Sequence, residues 1–208
     1  MSTYQTEEEQ VEAIKRWWKE NGTSVIAGLV IGLGGVFGWQ AWGGYQDRIG
    51  AEASSAFSQL VGAVQRGDKP SAVKQAELME QNFEGSSYAT FATLSEVRLH
   101  VDAGESELAK QKLTEVIQQN RVPALTQMAQ LNLARILLDE GDLDGAAQQA
   151  TVSSGSFAGE FAVVRGDIAH ANGDLEGAAA AYTEAMTHQV NDRSLLQMKL
   201  DDLAVATP

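Results

Sequence analysis

The seven residues "GDLDGAA", Gly141 to Ala147, return almost unchanged as "GDLEGAA", Gly173 to Ala179, 32 residues further on. Two looser copies precede them at intervals of 37 residues, "GESELA" from Gly104 and "GDKPSA" from Gly67. Each copy closes one apolar helical pattern and opens another. The residue types give the reason. Glycine ends the first helix in a left-handed conformation, the acid that follows caps the next helix, and alanine lets the two helices approach.

Helix-turn-helix units repeating at about 34 residues are the tetratricopeptide class. The predicted fold class is therefore all-α, a tetratricopeptide-like α-solenoid of helix pairs. The repeats are degenerate: their spacing is uneven and the aromatic residue of the first helix is missing, although Gly166, Tyr182 and Ala185 suit the last unit. "SLLQMKLDDLAV", Ser194 to Val205, reads as a final helix that covers the open end of the stack.

Upstream of the repeats the composition changes. Asn21 to Gln46 carry no charge over twenty-six residues, and seven glycines lie between Gly28 and Gly44. Each glycine costs about 1 kcal/mol in a water-exposed helix interior, so a lone soluble helix here is excluded. A bilayer reverses the argument, because backbone groups in hydrocarbon must pair internally and glycine is tolerated. Residues 23–45 match the roughly 20 residues that a hydrocarbon core of about 30 Å requires. Trp17 and Trp18 stand at one end, and Trp39, Trp42 and Tyr45 at the other, where aromatic belts form. The small-x-small triplet Ala51-Glu52-Ala53 resembles a signal cleavage site, but the apolar run is longer than a signal's core and ends well before it. Gly32-Leu33-Gly34-Gly35 begins like a dinucleotide fingerprint, yet it has no preceding strand.

A single transmembrane helix over 23–45 divides the chain into an inner tail, 1–22, and an exported domain, 46–208. Lys15, Arg16 and Lys19 precede the span closely, while only Arg48 and Arg66 follow it within twenty-one residues, which places the N-terminus in the cytoplasm. Gly28, Gly32 and Gly35 share one face, and Gly34 and Gly38 repeat the same spacing on another; one of these faces would let another membrane helix approach. In the tail, Thr6 and Glu9 have capping-box spacing, and Val11, Ile14 and Trp18 form one apolar stripe of an amphipathic helix. Asn21-Gly22 is expected to stop that helix before the span begins.

The net charge of −13 argues against a nucleic-acid surface. No cysteine is present, so disulfides and thiolate metal sites are excluded. His100, His170 and His188 lack the spacing of a local metal site, and "SSGSFAG", 153 to 159, lacks the glycine of a nucleophile elbow. No catalytic residue or cofactor is expected.

The expected function lies in protein–protein contacts. In a tetratricopeptide stack the first helix of each pair lines the concave face. Registering the repeats on Ala109, Ala146 and Ala178 puts Phe91, Leu94 and Arg98 on that face, then Met128, Leu131 and Arg135, then Val163, Asp167 and His170. An apolar groove with interspersed arginine suits extended or partly folded chains. Leu94 and Leu131 also read as ordinary core between helices, whereas Arg98 and Arg135 resist burial.

"EEEQVEAIKRWWKENG", the glycine-rich span, the degenerate repeats and the closing "LLQMKLDDL" together resemble the YfgM-type ancillary subunits of the SecYEG translocon. The resemblance covers essentially the whole chain. It implies a single-pass protein of the bacterial inner membrane with its repeat domain in the periplasm. It also implies association with SecYEG and with a membrane-anchored periplasmic peptidyl-prolyl isomerase-like chaperone, and hand-off of newly exported client proteins. An alternative is a membrane-anchored stress sensor whose tail controls a cytosolic response regulator.

Overall fold

A computed structural model describes residues 7–206. The described residues form nine helices and no strand. Thr6 lies outside them, so the expected capping box does too. The chain divides into two compact units, residues up to Ala51 and residues from Glu52 on.

The described residues of the first unit all lie within one helix, α1 (Glu7–Gln65). The expected stop at Asn21-Gly22 is overturned, because α1 runs through both residues. Asn21 turns its amide back on the helix and donates to the Trp17 carbonyl at 3.1 Å. The Trp18 indole stands beside Gly22, about 3.2 Å from where a Cβ would lie, and covers the backbone that glycine leaves bare. Side chains that would break a short helix in water are thus absorbed into a longer one.

Beyond Gly22 the large apolar side chains of this unit, among them Val25, Leu29, Leu33 and Phe37, are exposed along α1. This is the helix long and apolar enough to cross a membrane. The two tryptophan pairs that bracket it have ring centroids 6.5 Å (Trp17–Trp18) and 6.2 Å (Trp39–Trp42) apart.

The second unit stacks helix pairs. The end of α1 pairs with α2 (Lys69–Asn82), α3 (Ser87–Asp102) with α4 (Ser106–Gln119), α5 (Pro123–Asp139) with α6 (Leu143–Gln149), and α7 (Ala158–Ala171) with α8 (Leu175–Thr187). The final α9 (Arg193–Ala206) buries Leu196 and Leu203 against Ala162, Ala178 and Tyr182, as expected of a covering helix.

The turns follow the repeated motif. Gly141 and Gly173 have φ of +82° and +78°, left-handed values that strain any side chain and favour glycine. Asp142 and Asp174 then cap α6 and α8, accepting from the backbone N–H of Gly145 and Gly177 at 2.9 Å. The second glycine of the motif has its own reason. A Cβ at Gly145 or Gly177 would lie 2.3 or 2.1 Å from the capping carboxylate. Ala72, Ala109, Ala146 and Ala178, at equivalent places in the four copies, are completely buried.

One expected cap is corrected. Glu105 makes no capping bond to α4. Its carboxylate instead accepts from Lys69 at 2.8 Å and lies 2.6 Å from His100 Nδ1. These contacts begin a chain of linked polar and charged side chains between α2, α3 and α4. His100 Nε2 is 3.2 Å from the buried Glu96, whose other oxygen is 3.2 Å from Lys112 Nζ, and Lys112 also donates to Glu80. Burial alone would weaken the hold of Lys112 on its proton, but the Glu80 bond and the Glu96 charge outweigh it and raise its pKa. Removing one partner of such a buried network strands a charge, which is its main energetic consequence.

Candidate partner-binding face

Successive first helices adjoin, since α5 contacts both α3 and α7. Between α3 and α5 lies an open cavity of about 490 Å³ lined by Leu94, Arg98 and Arg135. A second, of about 380 Å³, continues from Arg135 past Val163 and Asp167 to α9. A third, of about 310 Å³, takes up Asp167 and reaches His170, Tyr182 and Asp202. Six of the nine residues expected on the concave face therefore line one connected series of cavities.

The remaining three do not. Leu131 is 3 % exposed and packs with Ala134, Ala146, Phe161 and Val164, so it belongs to the core between repeats. Of its two expected places the core holds and the groove does not: an apolar side chain at a helix–helix contact gains more by leaving water there than by facing an open cleft. Met128 is half-buried and lines none of the three cavities. Phe91 turns toward the end of α1, its ring centroid 6.0 Å from that of Phe57.

The cations of this face are engaged. Arg98 donates to Asp102 one turn along α3 at 2.9 Å. Arg135 reaches from α5 to Glu160 on α7 at 2.6 Å. Lys199 of α9 donates to Asp167 of α7, which also accepts from the Tyr182 hydroxyl at 2.6 Å. Burial, and then the bond to Asp167, push the Tyr182 phenol well above its ordinary pKa, so it remains a donor. Sequence reasoning found the arginines but not Glu160 or Lys199, because partners 25 and 32 residues away leave no local signal. Among the described residues no group of three or more His, Asp or Glu is placed to hold a metal ion.

Gly28, Gly32 and Gly35 present an open strip on α1, where a Cβ would meet nothing within 4 Å.

Stacked helix pairs closed by left-handed glycines define a tetratricopeptide-like protein, and a family described as "Tetratricopeptide repeat-like domain" matches residues 15–205. The chain is 30 % identical over 199 residues to a Haemophilus influenzae protein named "Ancillary SecYEG translocon subunit", covering 95 % of this chain and 97 % of that one. An Aggregatibacter actinomycetemcomitans protein of the same name is 31 % identical over 95 % of this chain and 97 % of its own. One from Escherichia coli is 29 % identical over 99 % of this chain and all of its own length. The chain belongs to this family of ancillary translocon subunits. No solved structure matches it.

Proposed function

We propose that the chain is a non-enzymatic ancillary subunit of the SecYEG translocon in the bacterial inner membrane. Residues 23–45 span the bilayer, the tail 1–22 lies in the cytoplasm, and the domain from residue 46 works in the periplasm. There it takes up newly exported proteins on the face lined by Arg98, Arg135 and Asp167 and passes them to periplasmic chaperones. A membrane-anchored peptidyl-prolyl isomerase-like chaperone is one of these partners.

The observation that carries this reading is the extent of the family likeness. Relatives named for the translocon match through the apolar helix and through the repeats alike, over 95 % or more of the chain. The anchor and the stack therefore belong to one functional unit.

Purification of the full chain from its own membranes in mild detergent, with mass spectrometry of what accompanies it, tests the proposal. SecY, SecE and SecG should be enriched together with a periplasmic chaperone. Their absence from a preparation that retains the intact chain would overturn the translocon reading.

A further inference from the structure

The lining of the three connected cavities holds three cations and twice as many carboxylates. Each cation already faces an acid of the same lining: Arg98 with Asp102, Arg135 with Glu160, and Lys199 with Asp167. Arg98 spends only its Nε on Asp102 and Arg135 one Nη on Glu160, so these cations are matched in charge by an acid of the lining although further N–H groups remain on each guanidinium. Asp139, Asp192 and Asp202 are left over, with no cationic partner among the described residues. Asp192 spends one oxygen on the Leu195 N–H at the start of α9, and Asp139 and Asp202 are exposed at the two ends of the series.

Between these carboxylates the lining includes the apolar side chains of Leu94, Val101, Val163 and Leu195. Val101 in the first cavity and Leu195 in the second are 42 % and 46 % exposed, so apolar surface is open to a ligand in both. Apolar surface interrupted by excess negative charge selects its complement. Large apolar side chains leave water on the floor, and a cation beside each of them meets a carboxylate that nothing else neutralises.

We propose that this face binds an extended polypeptide segment in which lysine or arginine alternates with large apolar residues. The inference rests on the reading of the face as the client-binding surface and gives that client its chemistry. The arginines then act within the protein rather than as ligands for the client: Arg135 braces α5 to α7, and Arg98 offsets the negative charge of Asp102.

The test uses the full chain in detergent micelles and fluorescein-labelled peptides of about ten residues, read by anisotropy. One peptide alternates Lys with Leu and Phe, a second carries Glu for every Lys, and a third carries Ser for every apolar residue. The Lys peptide should bind about tenfold more tightly than either of the others, and less tightly as salt is raised. Asp139→Asn with Asp202→Asn should weaken it several-fold, because two of the unpaired carboxylates are gone. Arg98→Gln should tighten it, because Asp102 is released. Equal binding of the Lys and Glu peptides, or preference for Glu, would overturn the inference, as would weaker binding of the Lys peptide by Arg98→Gln. The two readings fail separately. Absent Lys preference with SecYEG still recovered overturns this inference alone, whereas Lys preference without SecYEG supports it and overturns the translocon reading.

Discussion

Gly166 of α7 lies flat against the ring of Tyr182 of α8, so close that a Cβ at Gly166 would stand 2.3 Å from Tyr182 Cε1. The contact fixes the spacing of the last helix pair. It also leaves the Tyr182 hydroxyl 2.6 Å from Asp167, the residue that joins two of the cavities. Gly166→Ala forces the ring or the helix to move and should destabilise the domain by about 1–3 kcal/mol. Melting of the full chain in detergent, followed by helix circular dichroism, measures it. Tyr182→Leu should remove part of the penalty, so the double variant should melt above the sum of the single losses. Strict additivity would mean that the two residues do not touch.

The motif turns make a second prediction. Asp142→Ala and Asp174→Ala each remove a cap whose oxygen accepts from a backbone N–H at 2.9 Å, at a cost of about 0.5–2 kcal/mol. Gly145→Ala and Gly177→Ala should lower stability too, although alanine is the better helix former, because the added methyl meets the capping carboxylate. In an Asp142→Ala background the Gly145→Ala change should become neutral or favourable. A Gly145→Ala that stabilises the otherwise unchanged chain would show that the cap is not formed.

These particulars show what sequence could and could not reveal. The positions of Gly67, Gly104, Gly141 and Gly173 were legible because a left-handed residue after a helix leaves a local signature, and all four have positive φ. Buried alanines at a fixed distance after them were legible for the same reason. Glu105 was misread as a cap because its attachment to Lys69 spans 36 residues, which no local pattern encodes. Leu131 read as either groove or core because an apolar residue at a first-helix position fits both, and only Phe161 and Val164 of the next repeat decide for the core. Asn21-Gly22 reads as a stop in water, yet the neighbouring tryptophans supply the contacts that keep the helix intact.

Glu105 also carries a pH dependence whose sign is fixed. Hydrogen bonds from Lys69, then from His100, hold its carboxyl below the ordinary glutamate value of 4.5. A depressed acid stabilises the fold while ionised. Its contribution is complete above the unfolded value and disappears as pH falls through the lower folded value. The melting temperature of Glu105→Gln should therefore lie below that of the parent at pH 6, and the two should converge on acidification below 4.5. A constant gap down to pH 3 would remove Glu105 from the ionic chain.

The orientation of the chain is a fourth expectation. Three basic residues precede the apolar run closely, at 15, 16 and 19, and the positive side of a span stays inside. A reporter enzyme active only outside the cytoplasm should work when fused after Pro208 and fail when fused before Met1. Changing Lys15, Arg16 and Lys19 to Gln should reduce the bias and yield a mixed population. Activity of the N-terminal fusion alone would reverse the topology, and with it the periplasmic placement of the repeats.

The last expectation concerns the open strip on α1. Gly28, Gly32 and Gly35 recur on one face, with nothing within 4 Å of their missing side chains. In hydrocarbon, association of helices depends on close backbone packing, and small residues are what allow it. Replacing Gly28 and Gly32 by Ile keeps the span apolar and helical but holds a neighbouring helix away by the width of two side chains. SecYEG subunits should then be recovered in reduced amount from mild detergent, while the circular dichroism and melting of the repeat domain stay as they were. Gly34→Ile, on the second small-residue face with Gly38, tests the rival face and should leave recovery unchanged when the Gly28 face carries the contact. Equal recovery with both sets of substitutions would mean that the strip faces lipid and that the translocon is held through the repeats instead.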